Sequence, residues 1–303
     1  MARRGAVLSR ALCPPGIVPR PNGKARAMRA LIAAALTALA GLPPVLAEAP
    51  PRVVSMDYCA DQYVLGLAER GQIAAVTVEA GQDYSAHRDL AAGLPTVRAV
   101  TEDVIALRPD LVVRSYSGDA RQDALFARLG IETHQIGYAP DFETLRDAIR
   151  AAAAAMGRAE RGEQVIADMD AALAEAGRGE PVSALYVTPG GVTTAGGGLV
   201  HEMILAAGLT NHAHHAGGGW IAMPLERLVA ETPDLILTGF FTTAAERVNR
   251  WSAGRHPVMR ERLARTPTLD LDAARLSCGG WHLADGAVAI RRAADAILNG
   301  GAP

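Results

Sequence analysis

One pattern occurs twice in this chain: residues 102–111 read Glu-Asp-Val-Ile-Ala-Leu-Arg-Pro-Asp-Leu, and residues 226–235 read Glu-Arg-Leu-Val-Ala-Glu-Thr-Pro-Asp-Leu. Both match Glu-x-apolar-apolar-Ala-x-x-Pro-Asp-Leu, and both continue into an apolar pair. Each copy predicts a short helix followed by a buried strand, because proline stops a helix that approaches it. Two copies, far apart in the chain, predict two lobes of like architecture.

Around both copies, β-rich runs alternate with runs of helical spacing. Strands are predicted at 52–56, 73–77, 110–114, 133–137, 182–187, 234–238 and 268–271. Helices are predicted at 61–68, 101–107, 120–129, 198–207, 224–230, 257–264 and 285–298. Strands that alternate with helices indicate an α/β fold with parallel sheets.

The middle of the chain predicts two consecutive helices. Asp141 is a suitable N-cap for a helix that runs to Met156. After Gly157, apolar residues at helical spacing predict a second helix over 159–176, which ends at Gly177. At about 1.5 Å per residue it spans roughly 27 Å, enough to join two lobes. The alternative is an ordinary surface helix of one α/β domain.

The N-terminal segment has the features of a cleaved signal peptide. The basic residues Lys24, Arg26 and Arg29 precede a short apolar run, and Ala47 provides a small residue at the expected cleavage site. The signal peptide is therefore predicted at 1–47, with Met28 as an alternative start. The apolar run is shorter than the roughly 20 residues that span a bilayer, so we expect no membrane insertion. The remaining residues, 48–303, are predicted to form a first lobe at 48–140, a helical segment at 141–178 and a second lobe at 179–303.

Charge and motif content disfavour several function classes. Residues 1–47 carry seven of the chain's 30 basic residues and none of its 32 acidic ones, so the remainder has a net charge of −9. An acidic secreted protein is a poor candidate for binding nucleic acid. We find no Gly-x-Ser-x-Gly elbow, P-loop or His-Glu-x-x-His motif, which disfavours a secreted metal-dependent enzyme.

Over about residues 51–298, the chain resembles the periplasmic binding proteins for cobalamin, ferric siderophores and heme. The resemblance is carried by the two repeats and by the segments Arg52-Val-Val-Ser-Met-Asp57, Cys59-Ala-Asp-Gln62, Thr193–Gly198, Trp220–Leu228 and Ser277-Cys-Gly-Gly-Trp281. It implies an α/β fold of two Rossmann-like lobes with central parallel sheets, joined by one long rigid α-helix, with the ligand cleft between the lobes. It also implies a monomeric binding protein without a cofactor, located in the periplasm, that delivers its ligand to an ABC permease dimer at the inner membrane.

The resemblance further implies a docking role for one acidic residue in each lobe. Glu102 and Glu226 occupy the matching places, each seven residues before the proline of its repeat's Pro-Asp. Exposed carboxylates on rigid helix starts would orient the protein on a basic partner. The alternative is that each glutamate only favours the positive end of its own helix.

Ligand contacts are expected in loops at the carboxyl ends of the strands, between the lobes. Rigid aromatic rings suit a large planar chelate, and the candidates are Tyr58, Tyr84, Tyr116, Trp220, Phe240 and Trp281. The alternative for each is a loop anchor that packs on its own lobe. A strongly anionic siderophore would need several arginines, and only Arg114 and Arg121 are obvious. The expected cargo is thus a cobalt or iron chelate: cobalamin first, then a ferric siderophore, then heme.

Histidines and cysteines leave alternatives open. His212, His214 and His215 would suit a zinc- or manganese-binding importer component, but they come from one lobe, and a dedicated metal site is not predicted. His282, beside Trp281, would be able to ligate a heme or cobalt centre, or would simply be a polar rim residue. Cys59 and Cys278 either form a disulfide or remain as two thiols near the cleft.

Overall fold

The computed structural model describes residues 49–115, 119–214, 217–223, 225–240 and 256–301. The predicted signal peptide and the candidates Tyr116 and His215 lie outside these residues. Among the described helices, none has the length and apolar character needed to cross a membrane.

The first lobe is built on a sheet of five parallel strands in the order β3-β2-β1-β4-β5. Val53 and Val54 are both fully buried but belong to different apolar clusters, because successive strand residues point to opposite faces. A sheet covered on both faces explains the continuous apolar runs of its strands. The strands are β1 (Val53–Ser55), β2 (Ile73–Thr77), β3 (Thr96–Val97), β4 (Leu111–Arg114) and β5 (Glu132–Gln135), and the helices are α1 (Tyr58–Leu67), α2 (Arg88–Ala91), α3 (Thr101–Ala106) and α4 (Ala120–Arg128).

Two long helices follow the first sheet, as predicted. Helix α5 (Phe142–Ala155) begins at Asp141, whose carboxylate accepts a hydrogen bond from the Thr144 backbone N–H at 2.7 Å. Helix α6 (Ala159–Ala176) ends at Gly177 and packs against α5. An ion pair between Arg146 and Asp170, 2.5 Å apart, fastens the two helices together.

The second lobe contains a parallel sheet in the order β11-β10-β6-β8 and a separate antiparallel ribbon of β7 and β9. The final helix packs along α6. The strands are β6 (Ser183–Val187), β7 (Val192–Gly196), β8 (Thr210–Asn211), β9 (Gly219–Ala222), β10 (Leu235–Gly239) and β11 (Thr268–Leu271). The helices are α7 (Leu199–Ala206), α8 (Leu225–Ala230), α9 (Pro257–Arg265), α10 (Ala273–Leu276) and α11 (Leu283–Leu298).

The sequence repeat corresponds to a repeat of topology. The order β2-β1-β4-β5 in the first lobe matches β8-β6-β10-β11 in the second, and the repeats supply α3 with β4 and α8 with β10. The aspartates of the two Pro-Asp-Leu motifs, Asp110 and Asp234, are called the motif aspartates below. Their carboxylates accept hydrogen bonds from the backbone N–H groups of Arg52 and Ser183, at 2.7 and 2.9 Å. Each motif aspartate therefore fastens its strand to the start of the neighbouring strand, which confirms two lobes of like architecture.

The glycine-rich segment Thr193–Gly198 lies outside the strands that the sequence predicts. Most of it forms β7, which pairs with β9 through contacts such as Thr194 with Trp220. Thr193 and Thr194 are buried. The pairing partner lies more than 20 residues further along the chain, so no local signal in the glycine-rich run indicates a strand.

Candidate ligand cleft

A cleft of about 580 Å³ lies between residues of both lobes. The cleft lies at the carboxyl ends of strands in the first sheet, because three of its lining residues follow such ends: Tyr58 follows β1, Ser115 follows β4 and Ile136 follows β5. The first sheet and the segment after it contribute Tyr58, Cys59, Tyr63, Ser115, Ile136, Gly137, Tyr138 and Ala139. The second lobe contributes Gly198, Leu199, Val200, Trp220, Leu276, Cys278, Gly279 and Leu283.

The described lining of the cleft is aromatic and aliphatic, with no acidic, basic or histidine side chain. Two large rings stand open to solvent in it: Tyr138 is 80% exposed and Trp220 is 57% exposed. Exposed apolar surface in a concavity that both lobes line is typical of a ligand site. A bound ligand would bury these rings.

Asp57 organises the first-lobe side of the cleft. As the N-cap of α1, its carboxylate accepts hydrogen bonds from the backbone N–H groups of Cys59 and Ala60, at 3.1 and 2.8 Å. It also accepts from the Ser115 backbone N–H at 2.7 Å and from the Ser115 hydroxyl at 2.5 Å. The carboxylate therefore ties the loop after β1 to the loop after β4, and its hydrogen-bonding capacity is used within the protein.

The second-lobe side contains the start of α7. Gly198 is its N-cap, has a φ of 130° and provides no side chain to cap the helix, and the next two residues line the cleft. The first backbone N–H groups of a helix have no partner within it, and this end carries partial positive charge. The cleft thus combines apolar walls with one helix end that favours oxygen atoms of a ligand.

Cys59 and Cys278 form a disulfide, with 5.0 Å between their Cα atoms. The sequence left a disulfide and two separate thiols open, and the structure contains the disulfide. It connects the first turn of α1 to the 3₁₀ turn Ser277–Gly279, and both cysteines line the cleft.

The structure places some of the aromatic residues proposed as ligand contacts in the cleft and others outside it. Tyr58 and Trp220 line the cleft. Tyr84 does not: its hydroxyl donates to Glu79 at 3.1 Å, and its ring packs edge-on against Tyr58, with centroids 5.8 Å apart. Phe240 also lies outside the described lining and packs against the main apolar core.

Trp281 likewise does not line the described cleft. Its ring packs edge-on against Tyr63, with centroids 5.1 Å apart, at the contact between α1 and the second lobe. Sequence reasoning missed two cleft tyrosines, Tyr63 and Tyr138. Tyr138 stands three residues after β5, so the rule that selected Tyr58 at the end of β1 would have found it.

His282 is a buried residue rather than a cleft residue. Its Nε2 donates to the Ser277 carbonyl at 2.6 Å, and burial lowers its pKa. It faces His87 across the contact between the lobes, with ring centroids 6.3 Å apart. Burial lowers the pKa of His87 to about 4. Burial therefore disfavours the protonated form of both imidazoles, and His282 does not line the described cleft.

Of the other histidine candidates, His212 and His214 lie within the described residues. His212 Nδ1 lies 3.1 Å from the Ser183 hydroxyl. His214 stacks on His201, with centroids 5.5 Å apart, and His201 Nδ1 lies 2.9 Å from the Asn211 amide nitrogen. Within the described ranges, no group of three histidine, cysteine or acidic residues is arranged to hold a metal ion.

Glu102 and Glu226 are exposed in the first turns of α3 and α8, and are called the docking glutamates below. Each helix leads directly into the start of a strand, β4 or β10. Each helix therefore begins near the opposite edge of its sheet, where the strands end and ligand clefts form. Neither glutamate lines the cleft.

The sequence pattern of the family described as "Periplasmic binding protein" matches residues 53–275. The chain belongs to this periplasmic binding protein family. Its members are binding proteins rather than enzymes, in agreement with the prediction. A search of curated protein sequences finds no significant match to the chain.

Solved structures of periplasmic binding proteins share the fold. The periplasmic heme-binding protein RhuT from Roseiflexus sp. RS-1 is 21% identical, with a TM-score of 0.60 over 80% of this chain and 98% of that protein. A periplasmic heme-binding protein from Pseudomonas aeruginosa is 22% identical, with a TM-score of 0.61 over 80% and 92%. The periplasmic vitamin B12-binding protein BtuF of Vibrio cholerae is 17% identical, with a TM-score of 0.53 over 80% and 96%. At these identities the similarity establishes the fold, and the predicted fold class is confirmed.

Proposed function

We propose that this protein is the substrate-binding component of an ABC importer for a metal-chelate nutrient, with cobalamin as the first candidate. The observation that carries the proposal is the cleft between the lobes, which has aromatic walls and no charged side chain in its described lining. A large, rigid ligand with a broad apolar surface and neutral polar edges matches these walls.

The charge of the cleft distinguishes among chelates. Arg114, one of the two arginines expected to serve an anionic siderophore, is 9% exposed and forms an ion pair with Asp123 at 2.6 Å. It does not line the described cleft. A strongly anionic ligand would therefore lose hydration there without gaining a charged partner, which is unfavourable. Cobalamin carries neutral amide groups around its ring, and these suit tyrosine hydroxyls and helix N–H groups.

Heme is the second candidate, and the heme-binding proteins of like fold support it. Heme binding by this chain would require an iron ligand or partners for two carboxylates. Burial raises the pKa of Tyr63, so its hydroxyl is protonated and able to donate a hydrogen bond in the unliganded cleft. The zinc or manganese alternative has less support, because the described residues contain no suitable cluster of ligands.

A calorimetric titration of the exported protein with cyanocobalamin, hemin, a ferric siderophore and zinc tests the proposal. We expect saturable one-to-one binding of cyanocobalamin and weaker binding of the siderophore. If hemin alone binds tightly, heme rather than cobalamin is the cargo. Binding of bare zinc alone would contradict the chelate proposal.

Export and delivery complete the proposal. Residues 1–47 would be removed as a signal peptide, leaving lobes at 48–140 and 179–303 joined through 141–178. The docking glutamates would then align the loaded protein on basic pockets of the permease dimer, because they are exposed at matching places of both lobes.

A further inference from the structure

One face of α1 is attached to the second lobe at three successive turns. Cys59 forms the disulfide with Cys278, and Tyr63 packs against the Trp281 ring. Gly66 comes next on the same face, since residues spaced by three and four share one side of a helix. A Cβ atom added at Gly66 would clash with the Trp281 ring, so only glycine permits this close approach.

Neighbouring groups support the same attachment. Arg161 of α6 donates to the Gly66 carbonyl at 3.0 Å, which fastens α1 to the long helix. His87 also packs against Trp281, with ring centroids 5.5 Å apart and planes inclined by 32°. Two first-lobe residues, Tyr63 and His87, therefore contact a tryptophan ring that belongs to the second lobe.

The attachment is also one wall of the cleft. Cys59, Tyr63 and Cys278 all line it, so they join the first-lobe and second-lobe sides of the site. Any change in the relative position of α1 and the turn Ser277–Gly279 would change the width of the cleft. Because Cys278 is only half-buried and borders the cleft, cargo bound there would cover the disulfide.

We propose that the disulfide, together with Trp281 seated against Tyr63 and Gly66, is a redox-sensitive clamp that positions the two walls of the cleft for cargo binding. The clamp residues act as positioning residues, and the inference rests on the cleft being the cargo site, as in the proposed function. With the disulfide intact the cleft keeps its binding width. Reduction releases α1 from the Ser277–Gly279 turn and weakens binding.

The redox step is an ordinary thiol–disulfide exchange. One thiolate of a dithiol reductant attacks the half-buried Cys278 sulfur, and the Cys59 sulfur leaves as a thiolate that takes up a proton. The second thiol of the reductant resolves the mixed disulfide, so the protein gains two thiols and the reductant becomes a disulfide. Linkage then requires reciprocity: if reduction weakens cargo binding, bound cargo must stabilise the disulfide against reduction.

The first test compares the exported oxidised protein with a Cys59→Ser, Cys278→Ser double variant, using cyanocobalamin and hemin as probes. We expect the double variant to retain its circular dichroism spectrum and to lose roughly tenfold or more in affinity, because preorganisation of the cleft is lost. A folded double variant with wild-type affinity overturns the proposal.

Glycine variants test the clamp with the disulfide intact. Gly66→Ala introduces one methyl group against Trp281 and should also weaken binding. Gly71→Ala is the matched control, since a Cβ there meets nothing within 4 Å, and should bind as the wild type does. Equal affinity of both variants and the wild type would show that the packing of Trp281 against Gly66 does not position the walls of the cleft.

Two further measurements separate failure of the clamp from failure of the proposed cargo. Bound cargo should slow reduction of the disulfide by dithiothreitol severalfold, and unchanged reduction kinetics would contradict the linkage. Small-angle X-ray scattering of the unliganded protein should show a wider distribution of lobe separations after reduction. If the oxidised protein binds neither probe but expands on reduction, the proposed cargo is wrong and the clamp is supported. If it binds a probe and reduction changes neither the affinity nor the scattering, the clamp is wrong.

Discussion

Trp220 provides the most direct energetic test of the cleft. Trp220 is 57% exposed, and a tryptophan presents at most about 250 Å² of surface, so roughly 140 Å² is open to solvent. A flat cargo covers one ring face, or roughly 70 Å². At about 25 cal/mol per Å², this burial stabilises the complex by about 1.8 kcal/mol, which corresponds to roughly a 20-fold change in affinity.

Trp220→Ala should therefore weaken cyanocobalamin binding about 20-fold in isothermal titration calorimetry, while Trp220→Phe, which keeps a ring, should lose only a few-fold. Ile221→Ala is the matched control, because adjacent strand residues point to opposite faces of the ribbon and Ile221 does not line the cleft. Wild-type affinity in Trp220→Ala would refute the contact. The melting temperature should stay close to wild type, with a small decrease from the lost edge contact between Trp220 and Tyr186.

Three further predictions concern docking, stability and pH. Reversing the charge of either docking glutamate should reduce uptake in cells while leaving ligand affinity unchanged, and loss of affinity or normal uptake would contradict the docking role. Replacing either motif aspartate with alanine should lower the free energy of unfolding by about 1 kcal/mol, because one exposed hydrogen bond is lost in each case. Urea unfolding measures this loss, and the two variants should behave alike. Stability should also fall as the pH is lowered from about 6.5 towards 4, since the unfolded chain binds protons at His87 that the folded chain excludes. Thermal melts of wild type and His87→Gln should diverge in that pH range, and parallel curves would exclude this histidine as the cause.

Several features of the fold were predictable because their signals are local. The strands β2 and β11 and the helix α6 have the bounds that the sequence indicated. Apolar runs, helical spacing and capping residues act within a few positions of the chain, so they can be recognised without knowing the fold. The repeat extends this further, since like sequence in two places indicates like topology.

The cleft was predicted less completely. Tyr58 was found because it follows a strand, and Trp220 lines the cleft as proposed. Trp281 is absent from the described lining, and its side chain packs against Tyr63. An aromatic residue in a loop fills whichever cavity its tertiary neighbours leave open, and sequence spacing carries no information about that choice.

The linear order of residues was enough to establish an α/β protein of two similar lobes and the relative places of Glu102 and Glu226. Folding in three dimensions decided that Cys59 meets Cys278, 219 residues away, and that Gly66 receives the Trp281 ring. It also decided which side chains line the cleft. The physical reason is that hydrogen-bonding and helical periodicity act over a few residues, whereas a contact between distant segments depends on how all the intervening elements pack.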